Sequence, residues 1–387
     1  MNLASHGTGV RAAIALVAAG LTSAGGCSPA SSAPAGSFDA PTFEVDATWP
    51  KPFEDNWILG QLTGITVDSH DHVWITHGGG LSFAALGATH DPPTSICCKP
   101  APGIIEFDPE GNVVRAWDFT PGDPIAQSRV AGEHVWPGSR HGIFVDHNDY
   151  VWIGTRGTHQ VLKFTRDGEL VLAIGEHDSP GGSNDMTRLG TPADMWVSPE
   201  TNEIFIADGY GNRRVVVFNA ETGAYLRHWG AYGAEPDDDY EFTPPEENPP
   251  PPPQFWTVHG IHGSNDGLVY VGDRSNNRIQ VFTLAGEFVK ERVVAPGTLW
   301  TGSAYDVALS SDPEQRFLYL VDGANHKIWV LRRDDLELIG EIGQGGYQAG
   351  QFIRPHNIAT DSQGNVYSAE VETQRIQKFR LKVPRAD

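Results

Sequence analysis

A strand motif that recurs six times constrains the fold of this chain more strongly than any other feature of its sequence. In each copy a short apolar strand ends at an acidic or polar turn, and a second apolar strand follows. Most copies are spaced by about 45 to 65 residues, which is the length of one blade in a β-propeller. They begin near Gly64, His141, Pro192, His259, Ala304 and His356. The chain is therefore expected to form an all-β, six-bladed β-propeller.

The third strand of each copy is equally regular, but the last copy stops short. Residues 160–164, 278–282 and 375–379 each begin with a polar residue followed by Val or Ile and end in Phe, a pattern that resembles the NHL-type repeat. The sixth copy ends near Lys382, after its third strand, so its outer strand must come from elsewhere in the chain. Residues 42–45 can supply it, and this pairing would close the ring and remove a free sheet edge.

We place the propeller at residues 43–383, with two insertions. Residues 79–103 interrupt the first blade, and the acidic, Pro-rich residues 234–253 are expected to form an ordered surface excursion or a mobile lid. Cys97 and Cys98 are adjacent, and because a disulfide between neighbours strains the peptide, we expect two thiols. The formal net charge of -22 would repel phosphate backbones, so nucleic acid is not an expected partner.

The first 27 residues have the pattern of an export signal. Arg11 precedes an apolar stretch at residues 12–21, and small residues continue to Cys27. The apolar stretch is too short to span a bilayer permanently. Small residues before a cysteine resemble a bacterial lipoprotein cleavage site, with ordinary signal cleavage as the alternative. Residues 28–42 would be a flexible tether. We predict an exported, cell-envelope protein that is lipid-anchored at Cys27, or otherwise periplasmic or extracellular.

Three of the six copies begin with a histidine in the same register. His141, His259 and His356 begin the first strands of blades 2, 4 and 6. The first strand of a blade runs along the central channel, so three imidazoles from alternate blades would lie about 120° apart at one mouth, an arrangement that suits a three-histidine zinc site. A single histidine in a repeat could merely cap a strand, but three in one register favour a metal site.

The loops that end the second strands open at the same mouth of the channel. They carry Arg156, Tyr210 and Arg274. Positive charges and a metal ion near a tyrosine favour its phenolate form, which can act as a base, and an arginine can hold a carboxylate through two parallel hydrogen bonds. Asp208 and Asp273 in these loops are ordinary turn residues. We therefore predict functional roles for Tyr210 and Arg274.

Taken together, these residues resemble the peptidyl-α-hydroxyglycine α-amidating lyase family. The resemblance covers most of residues 57–382, and residues 206–213 and 271–274 look like the family's tyrosine and arginine loops. It implies a six-bladed propeller with a catalytic zinc ion. It also implies that the zinc ligands, the catalytic tyrosine and one active-site arginine correspond to His141, His259, His356, Tyr210 and Arg274.

The same resemblance implies a structural calcium ion in the channel. Its two backbone carbonyl ligands would come from Ile65 and Ile143. The position of its carboxylate ligand is occupied by Asn357, whose amide oxygen could coordinate without adding charge. Zinc and calcium are thus the cofactors that the resemblance implies.

The chain departs from the family pattern at two places. The family has an arginine in the first blade, whereas here Gly78 follows Thr76 and His77, and Arg156 of the neighbouring blade is the candidate replacement. The family's disulfides are also absent, because no cysteine lies near Tyr210 or Arg274. The lost arginine bears on substrate binding, and the lost disulfides bear on stability.

If the resemblance extends to the chemistry, the chain is a carbon–nitrogen lyase. It would split a carbinolamide, such as a peptidyl-α-hydroxyglycine, into an amide and glyoxylate. The expected partner is a small molecule or a C-terminally hydroxylated peptide, the protein is expected to be a monomer, and any membrane contact would be through the lipid anchor. Two alternatives stay open: a metal-dependent propeller hydrolase or lactonase, and a non-catalytic binding propeller at the cell surface.

Overall fold

The computed structural model describes residues 39–53, 56–78, 94–118, 140–242 and 251–382. Within these ranges the regular elements are β-strands and two short 3-10 helices, Ala231–Gly233 and Arg274–Asn276. Most of the strands form six four-stranded antiparallel sheets. The predicted all-β, six-bladed propeller is therefore confirmed, whereas the predicted export signal and the lipidation site at Cys27 lie outside the described residues.

Each blade contributes its strands in chain order from the central axis outward. The strands up to the end of blade 1 are β1 (Phe43–Val45), β2 (Trp57–Ile58), β3 (Gln61–Val67), β4 (Val73–Gly78), β5 (Lys99–Pro100), β6 (Ile104–Phe107) and β7 (Val113–Trp117). The strands of blades 2 and 3 are β8 (Arg140–Val145), β9 (Val151–Thr155), β10 (Gln160–Phe164), β11 (Leu170–Ile174), β12 (Asp194–Val197), β13 (Glu203–Asp208), β14 (Arg214–Asn219) and β15 (Tyr225–Trp229).

The remaining three blades repeat this arrangement. Their strands are β16 (Val258–Gly263), β17 (Leu268–Asp273), β18 (Arg278–Thr283), β19 (Phe288–Val293), β20 (Asp306–Leu309), β21 (Phe317–Asp322), β22 (Lys327–Arg332), β23 (Leu338–Ile342), β24 (Pro355–Thr360), β25 (Val366–Glu370) and β26 (Ile376–Leu381). None of the described helices is long and apolar enough to cross a membrane.

The hydrophobic core is divided among the faces between neighbouring blades. Trp196 and Phe205 of blade 3, for example, pack in one cluster with Val258, Ile261 and Val271 of blade 4. Comparable clusters occur at the other five blade interfaces. Because each blade buries both faces of its inner strands, strands such as β9 and β12 are buried at every position, while outer strands such as β11 remain largely exposed.

The acidic turn that marks the repeat accepts a hydrogen bond from an aromatic side chain on the second strand. The indole of Trp74 donates to Asp68 at 3.0 Å, and that of Trp152 donates to Asp146 at 2.8 Å. In blade 6 the hydroxyl of Tyr367 donates to Asp361 at 2.9 Å. The aromatic ring thus fills the interface between blades while its polar atom is satisfied by the turn, which explains the recurring sequence motif.

The ring is closed by the two ends of the propeller, as the sequence predicts. β1 pairs antiparallel with β26, and Val45 lies opposite Phe379. The amide of Asp46 adds a hydrogen bond to the carbonyl of Lys378 at 2.8 Å. The Phe43 ring also packs 5.8 Å from the ring of Tyr319 in blade 5. The first strand therefore completes blade 6 and contacts its neighbour.

The two insertions are described in part. In the first, β5 pairs parallel with β2, and Cys97 and Cys98 are bonded to each other, so the expectation of two thiols was wrong. Their side chains meet even though they are adjacent in the chain. In the second, the carbonyls of Asp237 and Tyr240 accept hydrogen bonds from Arg213 at 2.9 and 2.7 Å. The described part of that insertion therefore contacts the loop that carries Tyr210.

Candidate metal centre

The three predicted histidines converge at one mouth of the central channel. His141, His259 and His356 are buried, and one ring nitrogen of each lies within 4.8 Å of the others. The distances between their ring centroids are 4.7, 4.8 and 4.9 Å. We refer to these three residues as the histidine cluster. Its geometry places three ligand atoms of the same chemical type around one point.

A β-bulge in each inner strand aims these side chains. The pairing of β16 with β17 shifts between Val258 and Gly260, so His259 has no partner across the sheet. The pairing of β24 with β25 shifts in the same way around His356, and that of β8 with β9 shifts between Arg140 and Ile143, which flank His141. A bulge leaves its extra residue unpaired and redirects the side chain. The three histidines that share a position in the sequence repeat therefore also share a position in the structure, at a β-bulge.

Each imidazole of the histidine cluster is held through its Nδ1 atom. His141 donates to the carbonyl of Ala193 at 2.6 Å, and His259 donates to the carbonyl of Tyr305 at 2.7 Å. His356 donates to Oδ1 of Asn357 at 2.5 Å. A proton on Nδ1 leaves the lone pair on Nε2, and this tautomer is the one that presents Nε2 to a metal ion.

Burial keeps the histidine cluster neutral. Burial lowers the pKa of His141 and His259 well below the usual value and lowers that of His356 to about 3. The neighbouring arginine charges and the other imidazoles add to this effect. Three neutral imidazoles can coordinate a metal ion without first losing protons.

The hydroxyl of Tyr210 occupies the centre of this arrangement. It lies 2.9 Å from Nε2 of His141 and 3.0 Å from Nε2 of His259, and Nη1 of Arg274 donates to it at 3.1 Å. A phenol carries one proton, so it can satisfy only one of the two imidazole lone pairs. The excess of lone pairs over protons fits a divalent metal ion, because three nitrogen ligands and an open position are typical of catalytic zinc sites.

Turn residues fix the two loops that carry Tyr210 and Arg274. Asp208 accepts hydrogen bonds from Arg214 at 2.9 Å and from the amide of Gly190 at 2.8 Å. Asp273 accepts equivalent bonds from Arg278 at 2.7 Å and from the amide of Trp256 at 2.7 Å. Both aspartates are fully buried, and in the structure they hold the loops in place.

Two arginines carry unneutralised positive charge beside the histidine cluster. The guanidinium carbon of Arg156 lies 3.8 Å from the ring centroid of Tyr210, and that of Arg274 lies 5.1 Å from the same ring. In the described part of the chain, neither arginine forms an ion pair with an acid, and the Nε atom of each is buried without a hydrogen-bond partner. Such a pair of cations favours an anionic ligand at this mouth.

The structure also shows two buried aspartates that sequence reasoning missed. Asp194 and Asp306, the aspartate pair, stand at the starts of β12 and β20 in blades 3 and 5, which alternate with the histidine blades. Burial and mutual repulsion raise the pKa of Asp194 well above its usual value, and burial raises that of Asp306 to about 7. The available signal was an acid that recurs two residues after the starts of blades 3 and 5.

Asp306 orients the third histidine through Asn357. Its carboxylate accepts hydrogen bonds from Nδ2 of Asn357 at 3.1 Å and from the amide of Ile358 at 3.0 Å. The other side-chain atom of Asn357, Oδ1, accepts the Nδ1 proton of His356. These contacts form a continuous chain from a buried carboxylate to a predicted metal ligand, an arrangement that usually tunes metal affinity.

The predicted calcium ligands are only partly brought together. Ile65 and Ile143 line a channel cavity of about 70 Å³, together with Asp194 and Asp306. Oδ1 of Asn357 is engaged by His356 instead. A separate group, Asp68, His72 and Glu106, also has the composition of a metal site. Arg115 and Arg166 form ion pairs with this group, so a metal ion there would compete with two guanidinium charges.

The nearby Arg140 does not take the place of the arginine that the first blade lacks. Among the described residues other than its chain neighbours, no atom lies within 4 Å of the point where a side chain at Gly78 would start. The nearby Arg140 is fully buried, and its guanidinium donates to the carbonyl of His77 at 2.8 Å and to Asp118 at 3.0 Å. Arg140 therefore supports blade 1 and is not accessible to a substrate.

Comparisons with known proteins agree with the fold and extend it. The NHL repeat family matches residues 255–282. The solved streptogramin B lyase superposes with a TM-score of 0.53, covering 89% of this chain and 98% of its own at 14% identity, which supports the fold alone. The chain is thus a six-bladed propeller that contains an NHL repeat.

Proteins of similar sequence give more specific information about the family than the fold does. NHL repeat-containing protein 3 of Mus musculus is 25% identical over 88% of this chain and 84% of its own length. A probable peptidyl-alpha-hydroxyglycine alpha-amidating lyase of Caenorhabditis elegans is 24% identical over 88% of both chains. Peptidyl-glycine alpha-amidating monooxygenase B of Xenopus laevis is 29% identical over 87% of this chain and 35% of its own. The predicted similarity to amidating lyases is confirmed.

Proposed function

We propose that this chain is a zinc-dependent lyase that cleaves the C–N bond of a peptidyl-α-hydroxyglycine to give a peptide amide and glyoxylate. The observation that carries the proposal is the convergence of three neutral imidazoles on one point, where two of them contact the hydroxyl of Tyr210. The unpaired charges of Arg156 and Arg274 fit the carboxylate of such a substrate. The names of several relatives support the same class of reaction.

His141, His259 and His356 would hold the zinc ion through Nε2. A bound zinc ion supplies Lewis-acid polarisation of the substrate hydroxyl, which makes its proton easier to remove. The Nδ1 hydrogen bonds keep each imidazole in the required tautomer and orientation. Calcium, the second cation that the resemblance implies, is assayed with the same metal analysis.

The remaining chemistry falls to Tyr210 and the two arginines. Arg156 and Arg274 hold the substrate carboxylate and place positive charge beside the phenol oxygen, so Tyr210 can act as the base. Tyr210 takes the hydroxyl proton, the carbonyl of glyoxylate forms, and the C–N bond breaks. The same proton then passes from Tyr210 to the departing amide nitrogen, so that no other reactant is needed.

Metal analysis combined with a glyoxylate assay tests the proposal. Purified protein should contain about one zinc ion per chain at the histidine cluster and release glyoxylate from an N-acyl-α-hydroxyglycine peptide. Tyr210→Phe should lose about 100-fold or more in kcat and keep its zinc, because only the base is removed. His259→Ala should lose zinc, whereas the exposed histidine in His147→Ala serves as the matched control.

A non-catalytic binding propeller is the second candidate, and the open position at Gly78 is the observation that favours it. One carboxylate-binding group fewer could leave a site that binds an anion without turning it over. Wild-type protein that holds zinc but releases no glyoxylate would favour the binder. Protein that neither retains nor takes up zinc would refute the metal-dependent lyase.

We also propose that the protein is exported to a bacterial cell envelope as a lipid-anchored monomer. Arg11, the apolar stretch at residues 12–21 and the small residues before Cys27 support this proposal. Metabolic labelling with a fatty acid, compared with Cys27→Ala, tests the anchor. Labelling that persists in the variant would contradict lipidation at this cysteine.

A further inference from the structure

The loop at residues 294–303, between blades 4 and 5, presents an exposed aromatic side chain. Trp300 is 71% exposed and its neighbour Leu299 is 62% exposed. Trp300 also has a φ of 68°, in the left-handed region that bulky residues rarely adopt. An exposed, strained tryptophan contributes little to core packing, so its conformation points to a role at the surface. We call Leu299 and Trp300 the apolar rim.

The loop that carries the apolar rim is fixed to the candidate metal centre. Nδ2 of Asn277 donates to the carbonyl of Thr298 at 2.9 Å, and Oδ1 of Asn277 accepts from the amide of Ser303 at 2.8 Å. Gly302 packs so tightly that a Cβ atom there would lie 1.9 Å from the carbonyl oxygen of Arg274. The loop is therefore built directly onto the arginine loop, and its exposed tip is preorganised.

Tyr305 and Arg354 connect the apolar rim to the histidine cluster. The Tyr305 ring lies 5.3 Å from the ring of His259 and 5.7 Å from that of His356. Its hydroxyl contacts Thr301, the residue after Trp300. On the other side, the guanidinium carbon of Arg354 lies 4.9 Å from the Trp300 ring. Tyr305 thus contacts both the predicted metal ligands and the residue that follows the apolar rim.

Arg354 supports the tryptophan and is not available as a third anion-binding group. Its charge is balanced by Glu372 at 3.0 Å, whereas Arg156 and Arg274 have no such acid among the described residues. A cation against one face of an indole holds the ring in place and leaves other parts of it accessible. The charge pattern therefore assigns the substrate carboxylate to Arg156 and Arg274, and an apolar group to the rim.

We propose that the apolar rim binds the side chain of the residue that precedes the α-hydroxyglycine, and that a large apolar residue is preferred there. This inference rests on the proposed lyase function. With the carboxylate held by the arginines beside the cluster, the peptide must extend toward the open mouth. One residue advances the chain by about 3.5 Å, which carries the preceding side chain away from the cluster toward the loop that Tyr305 contacts through Thr301.

Two substrates that differ at this residue test the inference. We expect the wild-type kcat/KM for acetyl-Phe-α-hydroxyglycine to exceed that for acetyl-Ala-α-hydroxyglycine by about tenfold, the size of one aromatic contact. Trp300→Ala should reduce this ratio to about two, mainly by lowering kcat/KM for the phenylalanine substrate. Trp300→Phe should retain most of the preference. Val171→Ala, an exposed apolar position on β11, is the matched control.

The outcomes separate this inference from the proposed function. If the ratio of the two kcat/KM values is equal in wild type and Trp300→Ala, or if wild type does not prefer phenylalanine, the proposed role of the apolar rim is wrong. Glyoxylate release by the same protein would still support the lyase function. Wild-type protein that releases glyoxylate from neither substrate would refute the lyase and the rim together. Equal zinc content and melting temperature in all variants exclude misfolding as the cause of a lost preference.

Discussion

Zinc binding to the histidine cluster should displace almost no protons, even in mild acid. At about pH 5.5 an ordinary imidazole with a pKa near 6.5 is roughly 90% protonated, so three of them would release about 2.7 protons when a metal binds. Here burial lowers the pKa of His356 to about 3 and those of His141 and His259 well below the usual value. The cluster is therefore already deprotonated before the ion arrives.

The same reasoning sets the pH dependence of zinc affinity. Ordinary histidines would weaken a three-histidine site by about 500-fold between pH 7 and pH 5.5, because protons compete for every ligand. The buried histidine cluster should change by less than about threefold over that range. The pKa of His356 lies below the tested interval, and burial holds those of His141 and His259 well below the usual value, so lowering the pH adds few protons to the cluster.

Isothermal titration calorimetry of metal-free protein measures both quantities. Zinc is titrated near pH 5.5 in two buffers of different ionisation enthalpy, and the difference in apparent enthalpy gives the protons released. Because Tyr210 contacts two ring nitrogens and can itself lose a proton, the titration is repeated with Tyr210→Phe. Release of nearly three protons by that variant would refute the conclusion that burial keeps the imidazoles neutral.

Three further predictions follow from contacts in the structure. Asn357→Ala should weaken zinc binding by about 10- to 100-fold, because the proton on His356 loses its acceptor; unchanged affinity in a competition titration would contradict this. Phe43→Ala should lower the free energy of unfolding by about 1–3 kcal/mol through lost packing in the closing strand, and an unchanged urea midpoint would show that β1 contributes little. Metal-free protein should unfold more easily near pH 4.5 than near pH 7. The folded pKa values of His77 and the histidine cluster lie below the unfolded value, so their contribution is present above about pH 6.5 and is lost as the pH falls toward 3. The aspartate pair has raised pKa values and opposes this effect, but it consists of two groups against four histidines. A urea midpoint that rises on acidification would refute the expectation that the histidines dominate.

The repeat pattern predicted the fold well because each blade is specified locally. Trp74 and Trp152 stand six residues after the aspartates that they contact, so the sequence itself contains the whole interaction. The missing outer strand of the sixth copy likewise predicted the pairing of β1 with β26. Both features follow from polar groups that must be satisfied and from sheet edges that must be covered.

The candidate site was predicted less completely. The histidines share a register, so their convergence could be expected from one sequence position per blade. The role of Asp306 could not be predicted in this way. It depends on a hydrogen bond with Asn357 in the next blade, and the sequence of neither strand alone indicates that contact. Trp300 lies in a loop outside the repeat, where only tertiary contacts fix the direction of the side chain.

The alternation of the histidines around the ring has a mechanical consequence. The three ligands come from blades 2, 4 and 6, so chain segments of roughly a hundred residues separate one ligand from the next. An ion bound to all three would cross-link these distant segments, which are otherwise joined to their neighbours by the connecting loops, by side-chain packing and by hydrogen bonds such as those to Asp306. The ion would then oppose separation of the blades in the same way that β1 opposes opening at the seam. Chelation should therefore loosen the whole ring, and not only the mouth of the channel.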